Sequence, residues 1–489
     1  MPEQNDLELL LRSRTPVIVI ESLEEPRILQ LFTRLGLRLG QAVFQWSVTE
    51  GLKRQDVDFG SEDTNSDPGD ALKYIKSAAQ PGLYLLLDFH PYINNPLHVR
   101  LIKEIAQGYP EIPRTLVFIG CCFAIPLEVR HLTARFDLKL PDRASIKRLI
   151  LEEAKNWQER SRKTVSADPK AVEQLATNLT GVSASDARRL VRSAIEDDGA
   201  IRHDDLPKVM KAKYDLINQE GLISFEYDTA KFSDLAGLTH LKAWLEARRK
   251  LFHRGGTGLD RPKGVMLLGV QGGGKSLAAK AVAGVFGIPL LRLDFGRLYN
   301  KYIGETEKNL RTALATAETM APCVLWMDEI EKGIAPSQSD DGVSQRILGT
   351  LLTWMAENRA GVFVAATSND IQSLPPELIR KGRLDEIFFV DLPDRVSRRE
   401  IFNIHLRRRN QAPSGFNLDA LEQASEGFTG AEIEQAIVSS LYNVYSREEA
   451  LTTDHLLEEL ERTNPLSVVM SEKISMLREW AAGRTVPAG

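Results

Sequence analysis

The chain has little cysteine, no long apolar run and no strong excess of charge of one sign. Three cysteines among 489 residues are too few for a disulfide framework, and their spacing is not that of a zinc site. No stretch approaches the ~18 consecutive apolar residues of a membrane-spanning helix. The net charge of -5 argues against nucleic acid or an anionic membrane as the main partner. We therefore expect a globular protein of a reducing compartment, with the cytoplasm as its location.

A glycine-rich turn is present in the second half of the chain. LLGVQGGGKSLAAK at 267–280 passes from an apolar run through three glycines to a lysine, a serine and a helical stretch. Glycine lets a backbone turn sharply and bring its N–H groups close to a ligand. The pattern Gly269-x4-Gly274-Lys275-Ser276, between a predicted strand and a predicted helix, is that of a phosphate-binding P-loop.

The ligand predicted for this loop is ATP with Mg²⁺. Backbone N–H groups and the helix N-terminus would hold phosphate oxygens. Lys275 would reach the β- and γ-phosphates, and Ser276 would coordinate Mg²⁺. The residues predicted to contact the phosphates are Gly269, Gly272, Gly273, Gly274, Lys275, Ser276 and Leu277.

Two carboxylates follow another apolar run, at 324–327. Because parallel strands deliver their carboxyl ends to the ligand crevice, Asp328 and Glu329 should face the phosphates. We predict that Asp328 holds Mg²⁺ together with Ser276 and that Glu329 polarises the attacking water. Glu331 is expected to be a solvated helix residue.

Apolar runs alternate with helical stretches from residue 233 onward. This pattern is typical of an α/β fold with a parallel sheet and crossover helices. After Asp394 no further strand is predicted, and amphipathic segments to about Trp480 predict a helical lid. The apolar runs lie at 265–268, 324–327, 362–366 and 387–390. The predicted domains are an N-terminal module (1–215), a linker (216–232), an α/β subdomain (233–395) and a lid with a C-terminal tail (396–489).

Three segments of the first half resemble segments of the second, in the same order. This order indicates a duplication, against the alternative of chance resemblance among amphipathic helices and buried strands. The first copy has ESLEEPR at 21–27 where the second has its glycine loop, so we predict that it binds no triphosphate. The matching pairs are 82–89 with 323–329, 136–150 with 388–402, and 179–195 with 428–441.

With these motifs in order, residues 233 to about 460 resemble an AAA-family ATPase. The resemblance implies a P-loop NTPase sheet with a C-terminal helical lid, hydrolysis of ATP with Mg²⁺, and a degenerate AAA-like α/β module in the first half. AATSND at 365–370 resembles the sensor strand of the family. Its additional serine leaves Ser368 or Asn369 as the residue that orients the water, and we favour Asn369.

PELIRKGRLDE at 376–386 resembles the segment that carries the arginine fingers of the family. The resemblance places these fingers at Arg380 and Arg383. A finger supplied by a neighbouring subunit adds positive charge at the transferring phosphoryl group. The expected assembly is therefore a homo-oligomeric ring, and the family resemblance implies a hexamer.

Further motifs resemble the pore and base contacts of the family. YIGETEKNLR at 302–311 resembles the central-pore loop, in which Tyr302 and Ile303 would grip a protein substrate. FSDLAGL at 232–238 resembles the segment that lies against the adenine. The residues that the resemblance places near the base and ribose are Asp234, Ala236, His405, Gly430 and Ala431.

The whole chain is similar to an AAA family of cyanobacteria and algal plastid genomes. This similarity implies the cytoplasm, or the plastid stroma for a plastid-encoded chain. Two functions are open: a ring that remodels a protein partner, and a nucleotide-dependent scaffold whose N-terminal module recruits a partner. A nucleic-acid motor would depend on local basic runs such as 407–409, against the overall charge. A fused zinc protease is not expected, because no HExxH occurs.

Overall fold

The computed structural model describes two compact units, one formed by 1–142 with 183–187 and the other by 143–182 with 188–489. No helix of the described residues is long and apolar enough to cross a membrane. The described residues are 2–55, 65–218, 221–226, 235–254, 260–298, 305–334, 342–380 and 382–489.

The first unit is built on a six-stranded sheet of order β3-β2-β4-β5-β1-β6, in which only β3 is antiparallel to its neighbour. Its strands are β1 (Val17–Glu21), β2 (Ala42–Ser47), β3 (Gly51–Arg54), β4 (Gly82–Leu87), β5 (Arg114–Gly120) and β6 (Thr133–Arg135). Its helices are α1 (Pro2–Arg12), α2 (Glu25–Leu39), α3 (Pro68–Ser77), α4 (Pro96–Gln107) and α5 (Leu127–Arg130).

Alternation along β1 explains how helices cover both faces of this sheet. Val17 and Val19 lie in a core with α3 and α4, whereas Ile18 and Ile20 lie in a core with α1 and α2. Successive side chains of a strand point to opposite faces, so one apolar strand supplies both cores.

A helical segment opens the chain of the second unit. It contains α6 (Arg143–Ser161), α7 (Pro169–Asn178), α8 (Ala184–Asp198) and α9 (Leu206–Ile217), with a two-stranded parallel sheet of β7 (Ser166–Ala167) and β8 (Ala200–Ile201). The first four residues of α8 belong to the first unit.

Lys213 of α9 is fully buried in this segment. Its Nζ donates to the carbonyl oxygens of Asn178, at 2.8 Å, and Thr180, at 2.6 Å. Burial lowers the pKa of Lys213 from 10.5 to about 7, although nearby Cys323 opposes this shift. A neutral amine still has two N–H bonds for the two carbonyls, so both hydrogen bonds survive the loss of the proton.

We expect the free energy of unfolding of the second unit to rise with pH because of Lys213. Between about pH 7 and 10.5 the unfolded chain binds a proton that the folded chain lacks, which contributes at most about 1.4 kcal/mol per pH unit. Urea unfolding at a series of pH values should show this slope in the parent and in Lys211→Met, an exposed change on the same helix. The slope should be smaller in Lys213→Met, and an unchanged slope there would contradict the assignment.

The second unit contains a seven-stranded sheet of order β15-β14-β10-β13-β12-β11-β9. Only β9, at one edge, runs antiparallel to its neighbour. The strands are β9 (Ile223–Glu226), β10 (Gly264–Gly269), β11 (Leu290–Leu293), β12 (Cys323–Met327), β13 (Val362–Ser368), β14 (Glu386–Val390) and β15 (Val486–Pro487).

Helices cover both faces of this sheet and then form the lid. Around the sheet lie α10 (Thr239–Arg254), α11 (Lys275–Phe286), α12 (Phe295–Leu298), α13 (Glu305–Thr319), α14 (Glu331–Ile334), α15 (Val343–Glu357) and α16 (Pro376–Ile379). The chain continues through α17 (Arg395–Arg408), α18 (Leu418–Ala424), α19 (Gly430–Tyr445), α20 (Thr453–Arg462), α21 (Leu466–Val469) and α22 (Ser471–Ala481). Helices α17 to α20 enclose a separate apolar core.

The two sheets share the order and direction of five parallel strands. The order β2-β4-β5-β1-β6 of the first corresponds to β11-β12-β13-β10-β14 of the second, and each has an antiparallel strand beside its β2 or β11 edge. This correspondence supports the duplication predicted from sequence. The predicted α/β fold, with parallel strands and a helical lid, is confirmed.

Two predictions about the limits of the second sheet are wrong. The segment predicted as a linker, 216–232, contains β9, which pairs with β11. Strands do not stop at Asp394, since β15 adds to the sheet beside β14. Both strands are short edge strands, so pairing with a neighbour determines them more than their own apolar pattern does. The remaining domain boundaries stay predictions.

Candidate nucleotide site

The glycine-rich turn joins the end of β10 to the start of α11. A Cβ atom at Gly269 would lie 2.0 Å from the carbonyl oxygen of Val390, so only glycine fits there. Gly274 precedes α11 with φ 94°, a left-handed conformation that glycine adopts without strain. These two positions explain why the loop can leave the sheet and enter the helix in a tight turn.

Lys275 is buried at the start of α11. Its Nζ donates to the carbonyl oxygens of Gly269, at 3.0 Å, and Val270, at 2.7 Å. Burial lowers the pKa of Lys275 to about 8, while three carboxylates oppose this shift: Glu331, Asp328 and Glu329. The lysine therefore brings a cation to a helix N-terminus, where an anion is favoured.

Asp328 follows β12 and lies beside the P-loop serine. Its Oδ1 accepts hydrogen bonds from Ser276 Oγ, at 3.1 Å, and Thr367 Oγ1, at 2.7 Å. A hydroxyl and a carboxylate side by side are the donor pair that holds Mg²⁺ in P-loop NTPases. Oxygen ligands are also those that Mg²⁺ prefers, so the residues present fit this ion.

Glu329 is oriented by contacts on both sides. Its Oε1 accepts from Asn369 Nδ2 at 2.8 Å, and its Oε2 forms an ion pair with Lys332. Its backbone N–H donates to Thr367 Oγ1 at 3.0 Å, and its φ is 48°. A left-handed φ is uncommon for a residue other than glycine and is often found at functional sites.

The structure brings Asn369, not Ser368, to Glu329. Ser368 is fully buried, and its Oγ donates to the carbonyl oxygen of Asp370 at 3.2 Å. Glu331 was expected to be solvated, which is wrong: it is 8% exposed and accepts from the backbone N–H of Asn369 at 3.0 Å. The short helix α14 turns this carboxylate back towards β13.

A cavity of about 910 Å³ extends from these residues to the lid. Its size is within the usual range for a small-molecule site. At its phosphate end lie Gly272, Gly273, Gly274, Lys275, Ser276, Leu277, Asp328, Glu329, Thr367 and Asn369. Of the residues predicted near the base and ribose, Ala236, His405, Gly430 and Ala431 also line it.

The lid reaches the cavity through α17 and α19. The Ala431 backbone N–H donates to the carbonyl oxygen of Gly272 at 3.4 Å, which links α19 to the P-loop. His405 of α17 lies 3.3 Å from Glu434 Oε1. Burial lowers the pKa of His405, and the Glu434 carboxylate opposes this shift.

Two predicted groups do not join this cluster. Arg380 is exposed, and Arg383 Nη1 donates to the carbonyl oxygen of Glu377. Neither arginine is among the residues that line the cavity. Three further predicted residues lie outside the described part of the chain: Asp234, Tyr302 and Ile303.

The first unit has a carboxylate at the position that corresponds to the P-loop. Glu24, between β1 and α2, is 6% exposed and accepts from Arg27 Nη1 at 2.6 Å. It also accepts from the backbone N–H of Ala184, in the segment that parallels Gly430 and Ala431. Burial and Asp88 raise the pKa of neighbouring Glu25, and Arg135 pairs with Glu21 at the end of β1.

Sequence reasoning missed Thr367 and Arg292 in the second unit. Thr367 Oγ1 donates to the Asp328 carboxylate and accepts from the backbone N–H of Glu329. It is one of the polar residues at the carboxyl end of β13, beside β12, and this position could have indicated it from the sequence. Arg292 of β11 lies 3.8 Å from Asp328 Oδ2, with its guanidinium over the ring of Trp326. No motif in the sequence marks this arginine.

Comparison with known proteins agrees with this geometry. Residues 265–392 match the ATPase family associated with various cellular activities, AAA. Residues 3–138 and 144–220 match the N-terminal and second domains of SpoVK-like AAA ATPases. A further match covers only part of each chain. The proteasome-activating nucleotidase of Aeropyrum pernix is 36% identical over 42% of this chain and 52% of that protein.

Several relatives match almost end to end, and two of them illustrate this. The uncharacterized AAA domain-containing protein ycf46 of Pyropia yezoensis is 36% identical over 97% of each chain. Its counterpart from Guillardia theta is 36% identical over 98% of this chain and 94% of that protein. The chain is thus an AAA ATPase, and it belongs to the family of ycf46 AAA domain-containing proteins.

Proposed function

We propose that this ATPase acts as a homo-oligomeric ring, a hexamer, that remodels a protein partner. The observation that carries the chemistry is the hydrogen-bonded cluster at the P-loop, where Ser276 and Thr367 contact the carboxylate of Asp328 and Asn369 contacts that of Glu329. A partial relative, the proteasome-activating nucleotidase of Aeropyrum pernix, is named for an action on a protein complex, which supports a protein partner.

Each residue of the cluster has a separate role in the proposed reaction. Lys275 and the loop N–H groups bind the β- and γ-phosphates. Ser276 and Asp328 hold Mg²⁺, which when bound neutralises charge on the phosphate oxygens. Glu329 accepts the proton of the attacking water, and Asn369 fixes the carboxylate that does so.

The arginines support action between subunits. Arg380 is exposed, and Arg383 donates to the backbone carbonyl oxygen of Glu377. Neither arginine is among the residues that line the nucleotide cavity of the same chain. An arginine finger can then act only on the nucleotide of an adjacent subunit. Such a contact is worth about 10³- to 10⁵-fold in rate when supplied in trans.

Mixed rings test this arrangement. Chains with Arg383→Ala keep a complete P-loop, and chains with Lys275→Ala keep a complete finger, so a mixed interface can pair the two. We expect mixing to restore ATP hydrolysis that neither variant shows alone. Mixing Arg383→Ala with the double variant Lys275→Ala/Arg383→Ala should restore nothing. Absence of rescue in rings shown to be mixed would contradict action in trans.

A nucleotide-dependent scaffold is the second candidate. The first unit keeps the sheet topology of an ATPase without a P-loop, which favours recruitment of a partner over hydrolysis there. A partner captured with Glu329→Gln separates the two functions. If that partner stimulates ATP hydrolysis by the parent and the stimulation is lost in Tyr302→Ala, the result favours remodelling. If the partner binds without stimulating hydrolysis, the result favours the scaffold.

The proposed location is the cytoplasm or the plastid stroma.

A further inference from the structure

The last residues of the chain are part of the second sheet and of the cavity. β15 pairs in parallel with β14, with Val486 beside Phe388 and Pro487 beside Phe389. Ala488 is 1% exposed, and its N–H donates to the carbonyl oxygen of Phe389 at 2.9 Å. The tail, residues 486–489, is thus held by a strand ladder.

The tail also binds the start of α10. The carbonyl oxygen of Ala488 accepts from the backbone N–H groups of His240 and Leu241, both at 3.1 Å. The carbonyl oxygen of Pro487 lies 3.2 Å from His240 Nδ1. Val486 and Ala488 pack in one apolar cluster with Leu238. The tail therefore fixes the end of the segment that the sequence places against the adenine.

Helix α22, which precedes the tail, is attached to the end of β14. Arg478 of α22 makes a bidentate ion pair with Asp391, its Nε and Nη2 lying 2.9 to 3.0 Å from the carboxylate oxygens. Leu477 and Ala481 are buried in the core of the large sheet, not in that of the lid. The chain thus returns from the lid to the sheet before β15 begins.

The tail lines the same cavity as the phosphate-binding residues. A triphosphate on the P-loop takes the polar end, at Ser276 and Asp328. The base is then directed to the apolar lining residues, which include Leu235, Leu238 and Ile401. Pro487, Ala488 and Gly489 line the cavity with them.

We propose that the tail forms one wall of the base-binding end of the nucleotide site and thereby determines affinity for the base of ATP. Resting on the proposed nucleotide site, this inference assigns a binding role to residues that carry no motif. The wall acts by its own surface and by holding Leu238 and α10 in position. Its loss should weaken contacts to the base while leaving contacts to the phosphates unchanged.

Binding of ATP and of inorganic tripolyphosphate, each with Mg²⁺, separates these effects. A chain that ends after Thr485 should bind ATP about tenfold more weakly and tripolyphosphate within about twofold of the parent. Glu479→Gln, an exposed change in α22 that keeps the whole tail, should match the parent for both probes. Equal ATP affinity of the shortened chain and of this control would overturn the inference.

A full-length pair covers the case in which the shortened chain does not fold. Ala488→Leu places a larger side chain at a filled position and should reproduce the selective loss of ATP affinity. Ala482→Leu, at an exposed position, should not. Equal weakening of ATP and tripolyphosphate by Ala488→Leu would refute a role at the base. A parent protein that binds neither probe would instead refute the proposed nucleotide site itself.

Discussion

The Glu329→Gln protein is expected to bind ATP as the parent does and to hydrolyse it about 100- to 1,000-fold more slowly. Glutamine has the shape of glutamate, and its amide oxygen still accepts the hydrogen bond that Asn369 Nδ2 gives to Glu329 at 2.8 Å. The amide cannot take a proton from water. Phosphate contacts through Lys275 do not involve this side chain, so binding should persist.

Single-turnover hydrolysis and equilibrium ATP binding, measured on the same preparations, check this expectation. Glu357→Gln is the matched control, because Glu357 ends α15 at an exposed position. The control should equal the parent in both measurements. Hydrolysis by Glu329→Gln at the parent rate would refute the role of Glu329 as the base.

The buried strands of both sheets were predictable because a parallel strand between two helical layers is apolar throughout. β10, β12, β13 and β14 agree with the predicted runs in the second half. β15 has two residues, one of them a proline, and only its ladder to β14 makes it a strand. β9 was taken for part of a linker for the same reason. Edge strands depend on a partner that one-dimensional patterns do not show.

The cluster of polar residues at the P-loop was predictable where the order of residues along the chain determines it. Lys275 and Ser276 begin the helix that follows β10. Asp328 and Glu329 directly follow β12, which ends beside the P-loop. Glu331 was placed wrongly because helical spacing alone does not show that its carboxylate accepts from the backbone N–H of Asn369. The contact between Arg292 and Asp328 links β11 to β12, and neither strand alone predicts it.

The choice between Ser368 and Asn369 also could not be made from the sequence alone. Both are polar residues at the carboxyl end of β13, and the order of residues leaves both open. Alternation along the strand turns Ser368 inward, where it is fully buried, and the next residue then meets Glu329. The side to which a strand turns a residue is a property of the sheet and its register.

Loss of Lys275 should reduce ATP affinity by about 100-fold or more, since a buried cation that contacts phosphate is replaced by a methyl group. The ammonium is disfavoured by burial, as its pKa of about 8 shows, so its removal should leave the fold intact. Lys280→Ala is the control on the same helix. Lys280 faces Glu226, at 3.5 Å, and is not among the residues that line the cavity, so this change should leave affinity unaltered.

One nucleotide per chain is the central claim, because two modules share a topology and only the second has a P-loop. In the first, the Glu24 carboxylate takes the corresponding position and accepts from Arg27 and from the backbone N–H of Ala184, and residues 21–27 contain no glycine or lysine to bind a triphosphate. Equilibrium titration with a fluorescent ATP analogue counts the sites. The parent and Lys280→Ala should bind one equivalent per chain and Lys275→Ala almost none at concentrations that saturate the parent. Nearly one equivalent bound to Lys275→Ala would contradict the account.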